Sequence, residues 1–212
     1  MPTEFSGRPR DALMVRRKIP PPVRPALVIA GFCVLLLYAF LDGQSVGGLR
    51  AGPRERFRRN APYYPTPLFV AEKMLEVAEV GPQDVVYDLG SGDGRIVILA
   101  VQKFGARAVG IEIDPTLWQE SSCRIAKLGL AERARILHED MFRVNIRPAT
   151  VVTLFLLTSV LDELRPQMER ELRPGTRIVA QEFGVPGWDP QEVIRVKSET
   201  GQSYTIYLYI RP

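Results

Sequence analysis

The stretch that decides the fold reads Val85-Val86-Tyr87-Asp88-Leu89-Gly90-Ser91-Gly92-Asp93-Gly94-Arg95-Ile96. A short apolar run ends on an acid, three glycines follow at alternating positions, and a second apolar run begins directly after them. An apolar run bounded by turn residues is typical of a buried strand, and the apolar run 96–101 is typical of a buried helix. The pattern therefore predicts a strand, a tight glycine turn and a helix, the first βα unit of a nucleotide-binding sheet.

The charges around these glycines distinguish between two nucleotide ligands. A dinucleotide turn has the spacing G-x-G-x-x-G and holds a pyrophosphate at its helix N-terminus. Here the spacing is G-x-G-x-G, Arg95 replaces the last glycine, and carboxylates stand at Asp88 and Asp93. Each would repel a phosphate, by roughly 4 kcal/mol for a unit-charge pair at ~4 Å and a dielectric of about 20. The same acids suit the ammonium and sulfonium charges of S-adenosylmethionine (SAM), so SAM is favoured over NAD.

A third acid supports this prediction. Residues 107–115 are expected to form the next strand, with Glu112 at its carboxyl end and 20 residues after Gly92. That offset is the usual place for an acid that accepts hydrogen bonds from ribose hydroxyls, and its charge disfavours the 2′-phosphate of NADP. The alternative is an exposed acid at a strand end.

The sequence around this turn resembles a known family. Residues 88–97 (Asp-Leu-Gly-Ser-Gly-Asp-Gly-Arg-Ile-Val) resemble motif I of class I SAM-dependent methyltransferases. Segments 61–67, 149–157 and 172–179 are similar to the FAM173 family of protein lysine methyltransferases and its bacterial relatives. The resemblance covers about residues 61–190. It departs from the family at Tyr64, where valine is commoner, and at Thr158, where proline is expected, and both positions are expected near the substrate side.

The resemblance implies a fold and a set of site residues. The fold is a doubly wound α/β domain over residues 61–212, with a seven-stranded, mostly parallel sheet in the order 3-2-1-4-5-7-6. Asp140 is expected to face the adenine amino group, and the full set expected to bind the cofactor is Asp88, Gly90, Ser91, Gly92, Asp93, Gly94, Glu112 and Asp140. Tyr63, Tyr64 and Thr66 are candidates for a lid or the substrate side, or alternatively for packing at the sheet edge. Glu182 is a weak candidate for a base, or a surface acid.

The remaining elements follow from periodicity and turn residues. Thr66-Pro67 is expected to begin a helix that extends to about Val80, and Asp114 to cap another that extends to about Leu128. Thr158 or Ser159 is expected to cap a helix that ends near Leu172, with hydroxyl contacts in the site as the alternative. Strands are expected at 135–138, 149–157, 177–183, 191–197 and 203–210. With two cysteines and one histidine in the chain, neither a disulfide framework nor a metal site is expected.

The net charge is divided unevenly along the chain. Of 28 Lys/Arg and 24 Asp/Glu, residues 1–60 hold 11 and 4, which leaves 17 and 20 for the rest. Residues 1–25 are expected to be a disordered basic leader and residues 42–60 a basic linker. Between them, residues 26–41 carry no charge. They are interpreted as a membrane-spanning helix, with a cleaved signal peptide and a buried core helix as alternatives.

These observations leave three classes of function. The first is a SAM-dependent N-methyltransferase that acts on a lysine of a membrane-associated protein. The second is a methyltransferase for a lipid-soluble small molecule, and the third is a SAM-binding assembly protein without turnover. A nucleic-acid partner is not expected, because the domain is net acidic. The catalytic domain is expected on the cytoplasmic side of a membrane, or in mitochondria if the protein is eukaryotic.

Overall fold

The computed structural model describes residues 63–212. The leader, the apolar run 26–41 and the basic linker therefore lie outside the described residues. Within the described part, no helix is both long and apolar enough to cross a membrane. The helices are α1 (Leu68–Val77), α2 (Arg95–Gln102), α3 (Pro115–Lys127) and α4 (Thr158–Glu171). The strands are β1 (Val85–Leu89), β2 (Arg107–Glu112), β3 (Ala134–His138), β4 (Val151–Leu154), β5 (Arg177–Gln181), β6 (Glu192–Lys197) and β7 (Ser203–Ile210).

The strands form a seven-stranded sheet in the order β3-β2-β1-β4-β5-β7-β6, which confirms the predicted fold class. The first five strands are parallel, while β7 runs antiparallel to both β5 and β6. Strand β2 pairs with one edge of β1, and β4 pairs with the other, so the direction of winding reverses at β1. The crevice between the carboxyl ends of β1 and β4 is therefore the switch point at which ligands bind in doubly wound sheets.

Apolar side chains cover the sheet on both faces. On one face, buried residues of α1, α2 and α3 pack on the sheet, among them Met74, Val97 and Ile125. On the other, buried residues of α4 pack on it, among them Leu161 and Met168. Buried β4 is apolar except for Thr153, as expected of a central parallel strand covered on both faces.

Two predicted helix starts differ from the structure. Pro67 occupies the cap position of α1 without a side-chain cap, because the Thr66 hydroxyl donates instead to Gln181. Leu157 occupies the cap position of α4, again without a side-chain cap, so Thr158 already lies inside the helix. By contrast, the predicted cap at Asp114 is present: its carboxylate accepts hydrogen bonds from the backbone N–H groups of Thr116 and Leu117.

Three predicted ends lie further along the chain than the observed ones. Helix α1 ends at Val77, because Glu79 adopts a left-handed φ of 50° and the chain turns there. Strand β5 ends at Gln181 for the same reason, since Glu182 has a φ of 60°. Strand β4 spans Val151–Leu154, so the apolar residues after it belong to the site rather than to the sheet.

Candidate active site

A cavity of about 850 Å³ opens at the carboxyl ends of β1, β2 and β4. That volume lies within the range typical of small-molecule sites, about 300–1,000 Å³. Asp88 of β1 and Glu112 of β2 both line it, together with Gly90, Ser91, Asp93 and Asp140. The parallel sheet thus brings to one edge acids that are far apart in sequence.

Glu112 is buried and joined to the glycine turn. One carboxylate oxygen accepts a hydrogen bond from the backbone N–H of Gly92 at 2.7 Å, and the other accepts from the N–H of Asp114 at 2.8 Å. Each oxygen has a second lone pair with which to accept from a hydroxyl. The carboxylate therefore holds the turn against the end of β2 and presents acceptors to the cavity.

Asp88 is more deeply buried than Glu112, the other buried acid of the site. Burial raises its pKa to about 7, while the hydroxyl of Thr153, which donates to its Oδ1 at 2.8 Å, acts in the opposite direction. The negative charges of Glu112 and Asp93 raise the pKa further. A cation bound beside Asp88 would stabilise the ionised carboxylate, because the opposite charge offsets lost hydration.

Asp93 differs from the other two acids because two arginines neutralise it. Its carboxylate accepts from Arg95 Nε at 2.9 Å and Nη2 at 2.8 Å, and Arg124 Nη1 lies 3.2 Å from Oδ2. Burial alone would raise the pKa of Asp93, but the hydrogen bonds and charge of Arg95 hold it below its usual value. Asp93 therefore adds little net negative charge to the cavity, contrary to the expectation from the sequence.

Residues 63–67, here called the strap, lie over the glycine turn. The Tyr63 ring occupies the space beside Gly92, where a Cβ atom would come within 2.4 Å of Tyr63 Cε2. Arg95 Nη1 donates to the Thr66 carbonyl at 2.7 Å, and the buried Thr66 hydroxyl donates to Gln181 Oε1 at 2.7 Å. The strap is thus attached to the turn on one side and to β5 on the other, and Tyr63, Tyr64 and Thr66 all line the cavity.

The opposite wall combines polar and aromatic groups. Asp140 Oδ1 accepts from the backbone N–H of Phe142 at 3.1 Å. His138 stacks on Trp118 with ring centroids 5.0 Å apart, and its Nε2 lies 3.1 Å from the Ile113 carbonyl oxygen. Asp140, Phe142 and His138 line the cavity, so a flat ligand there meets apolar surface and an acid at one end.

The remaining predicted residues lie at the margin. Gly92 and Gly94 do not line the cavity: Gly92 faces Tyr63, and a Cβ atom at Gly94 would come within 3.1 Å of Ser121 on α3. At both positions the absence of a side chain makes room for a neighbouring residue of the protein rather than for a ligand. Glu182 also lies outside the lining, and its Oε1 accepts from the Thr205 N–H at 3.3 Å.

Sequence reasoning missed four residues that shape the site. Arg95 follows the glycine turn directly and was the one detectable from the sequence, as a basic residue beside two acids. Thr153, Phe155 and Gln181 belong to strands or strand ends that appear only as apolar runs. Nothing local marks them, because their partners are distant in the sequence. Thr153 and Asp88 are 65 residues apart, and Gln181 and Thr66 are 115 residues apart. Phe155 and Tyr64 are likewise brought together only by the fold.

The residues present fit SAM. Its ammonium and sulfonium charges match the buried Asp88, and its ribose hydroxyls match the free lone pairs of Glu112. Ser91 Oγ is buried and has no hydrogen-bond partner within the described residues, which leaves one more polar atom at the turn. A pyrophosphate does not fit, because it would meet the acids Asp88 and Glu112.

Comparisons with known proteins agree with this geometry. Residues 88–192 match the family model of the ANTKMT methyltransferase domain. A protein-lysine N-methyltransferase of Saccharolobus islandicus is 48% identical over 152 residues, which cover 71% of this chain and 94% of the relative. An adenine nucleotide translocase lysine N-methyltransferase of Mus musculus is 30% identical over 84% of this chain and 75% of its own length.

A solved structure is also similar. An enzyme from Salinibacter ruber, described as an RNA methyltransferase and crystallised with S-adenosyl-L-homocysteine, has a TM-score of 0.66 and 44% identity. The match covers 70% of this chain and 94% of that one.

The fold, the acidic glycine turn and these matches define an S-adenosylmethionine-dependent methyltransferase, and SAM is its cofactor. The chain belongs to the protein-lysine N-methyltransferase family that includes the ANTKMT methyltransferase domain. The resemblance to FAM173-type enzymes and the predicted cofactor are confirmed.

Proposed function

We propose that the cavity binds SAM through the acids of three neighbouring strands. Asp88 takes the ammonium group, Glu112 the ribose hydroxyls and Asp140 the adenine amino group. Gly90, Ser91, Gly92, Asp93 and Gly94 shape the turn between them. The observation that carries the proposal is that two buried carboxylates from adjacent strands, Asp88 and Glu112, line one cavity.

The reaction is a direct in-line methyl transfer to the amine of a lysine. SAM when bound supplies an electrophilic methyl group; the nitrogen–carbon bond forms as the carbon–sulfur bond breaks, and the amine's proton leaves to solvent. The chain must align the amine, exclude water and favour its neutral form. Deprotonating a free lysine at pH 7 costs about 4.6 kcal/mol, which burial against apolar walls and the nearby sulfonium charge reduce. No strong base is required.

The acceptor is a lysine of a membrane-associated protein. Relatives are named for adenine nucleotide translocase and for one of the subunits of ATP synthase. The uncharged run 26–41 and the arginines of residues 42–60 support attachment of this chain to a membrane. In this proposal residues 26–41 anchor the chain and the catalytic domain faces the side on which SAM is made, the cytoplasm or the mitochondrial interior.

RNA is the competing acceptor, because a relative of 44% identity is described as an RNA methyltransferase. Charge argues against it here, since residues 61–212 hold 17 Lys/Arg against 20 Asp/Glu. Binding to nucleic acid depends on cationic groups that neutralise phosphates.

Transfer of a labelled methyl group tests the proposal. The full chain in lipid vesicles is incubated with labelled SAM and with membrane proteins, total RNA or a lipid extract from its host. We expect label in the membrane proteins, and methyl-lysine in their hydrolysate. Label confined to RNA or to the lipid extract would contradict the proposal, as would SAM binding without any turnover.

A further inference from the structure

We propose that the substrate's lysine side chain lies against the paired rings of Tyr64 and Phe155, with Glu182 as the acid that attracts its ammonium group. This subsite rests on the proposed function and specifies where its substrate binds. It lies at the β4–β5 side of the cavity, next to Asp88 and away from Asp140.

Phe155 lies on the correct side of the sheet. It directly follows β4 and stands two residues after Thr153, so both side chains project to the same face, on which Thr153 contacts Asp88. Phe155 is half-buried and lines the cavity. A group beside Phe155 is therefore close to the acid proposed to hold the methionyl end of SAM.

Tyr64 of the strap lines the cavity beside Phe155. Its ring meets that of Phe155 edge to face, with centroids 6.4 Å apart and planes at 75°, an arrangement favoured by the ring quadrupoles. Two residues after Tyr64, the strap is held by Thr66, whose carbonyl accepts from Arg95 and whose hydroxyl donates to Gln181. These bonds make Arg95 a positioning residue for Tyr64.

Glu182 directly follows Gln181, which accepts the hydrogen bond from Thr66 of the strap, so it lies on the strap side of the site although it does not line the cavity. Burial raises the pKa of the Tyr204 hydroxyl, and Tyr64 and Glu182 raise it further, in agreement with this placement. One oxygen of Glu182 accepts from Thr205 N–H, and the other has no hydrogen bond within residues 63–212. Burial also raises the pKa of Glu182, so an incoming cation would stabilise its carboxylate.

The backbone of Glu182 is also unusual. Its φ of 60° is uncommon for a residue with a side chain and ends β5 there. Aromatic faces attract the arriving ammonium group, whereas burial of that group away from water lowers its pKa. The acid and the rings therefore attract the charged lysine, and the exclusion of water favours the neutral form that reacts.

The test compares three substitutions with matched controls. Tyr64→Leu and Phe155→Leu remove a ring, while Tyr64→Phe and Phe155→Tyr keep it. Glu182→Gln removes the charge but leaves the strained backbone equally unfavourable, and Glu199→Gln removes an exposed acid from the β6–β7 turn. The acceptors are a peptide with one lysine among alanine, glycine and serine, and a detergent extract of host membrane proteins; KM is measured with whichever the wild type methylates.

We expect the three substitutions to raise KM for the acceptor about tenfold or more, as loss of a cation-binding contact requires. The Kd of SAM measured by calorimetry should change less than about threefold. Tyr64→Phe and Phe155→Tyr should raise KM much less than the leucine variants, and Glu199→Gln should resemble wild type. The effect of Glu182→Gln should decrease at high salt, because screening weakens attraction between exposed charges. n-Butylammonium should inhibit wild type more strongly than the three variants.

Unchanged KM in the three variants would overturn the subsite, and so would a loss of SAM affinity equal to the loss of acceptor affinity. If the wild type binds SAM but methylates neither acceptor, the proposed function itself fails, and the subsite fails with it.

Discussion

Asp88 and Asp93 belong to the same turn but have opposite electrostatic surroundings. Asp88 is buried beside other acids, and its pKa is raised to about 7, chiefly by burial. Asp93 is paired with Arg95 and Arg124, whose hydrogen bonds and charge outweigh burial and lower its pKa. Only Asp88 is thus prepared to bind a cation, while Asp93 holds the arginine that fixes the strap.

Asp88→Asn should stabilise the cofactor-free protein, and more so at pH 8 than at pH 5. The folded-state pKa of about 7 exceeds the ordinary value of 3.8 for an aspartate. The stability that the protonated group contributes is therefore complete below about pH 4 and is lost as pH rises through about 7. Denaturant unfolding at both values should show a gain from the substitution that is about 2–3 kcal/mol larger at pH 8. Equal gains at both values would contradict a buried, proton-binding Asp88.

Gly92→Ala should weaken SAM binding at least about tenfold, because the new methyl group would collide with the Tyr63 ring and displace the strap. Gly129→Ala is the matched control, since Gly129 has a similar positive φ of 68° but no neighbour within 4 Å. Both should lose about 1–2 kcal/mol of stability from backbone strain. Calorimetry with SAM separates them, and equal affinities in the two variants would show that Tyr63 does not support the turn.

At the residue scale, the positions of the site's acids were predictable from the sequence, but their partners and the direction of their pKa shifts were not. Asp88 and Glu112 stand at the ends of recognisable strands at a known offset from the glycines. The pairing of Asp93 with Arg124 depends on the placement of α3 against the turn, 31 residues along the chain. The contact of Tyr63 with Gly92 depends on the path of the strap.

The strap is the element in which local and tertiary preferences compete. Thr66-Pro67 has the sequence of a helix start, but the Thr66 hydroxyl bonds to Gln181 of β5, 115 residues away. Leaving the buried side-chain oxygen of Gln181 without a donor would cost more free energy than leaving the helix without a side-chain cap, because water can satisfy an exposed helix end.

Thr66→Val should lower the free energy of unfolding by about 1–3 kcal/mol, because it leaves the buried Gln181 oxygen without its donor. Thr66→Ser keeps the hydroxyl and should stay within about 1 kcal/mol of wild type. Denaturant unfolding of the three proteins measures the difference. A valine variant as stable as the serine variant would mean that the strap is not held by this bond.

At the element scale, the doubly wound class followed from the alternation of strands and helices, and the order of strands from the family resemblance. The ends of elements followed less well. Strand β5 and helix α1 both stop where a non-glycine residue, Glu182 or Glu79, takes a positive φ. No glycine or asparagine marks these two positions in the sequence. At Glu79 the turn closes the helix, since the N–H of Val80 donates to the carbonyl of Leu75.

On the scale of the whole molecule, charge and hydropathy divide the chain in two. The net basic residues and the uncharged run lie before residue 61, and the described domain is net acidic. Under the proposed membrane attachment, anionic lipids would repel the acidic domain. The arginines of residues 42–60 would then offset that repulsion and keep the domain near the surface.

Two arginines in the apolar run should release the protein from membranes. Leu35→Arg with Leu37→Arg places two charges in the run 26–41, each costing roughly 2.5–3.5 kcal/mol at a membrane centre. We expect the wild-type full chain in the membrane pellet after alkaline extraction and the double variant in the supernatant. The control pair Leu35→Val and Leu37→Val should remain in the pellet. A wild-type chain that is extracted with the double variant would contradict the anchor.

Calorimetry at pH 8 on the full chain tests the central claim most directly, because Asp88 is then ionised. The wild type should bind SAM and S-adenosylhomocysteine and give no heat with NAD. Asp88→Asn and Glu112→Gln should each weaken SAM binding by about tenfold or more, the loss of one charged contact. Heat with NAD but none with SAM would contradict the account, and so would wild-type SAM affinity in both variants.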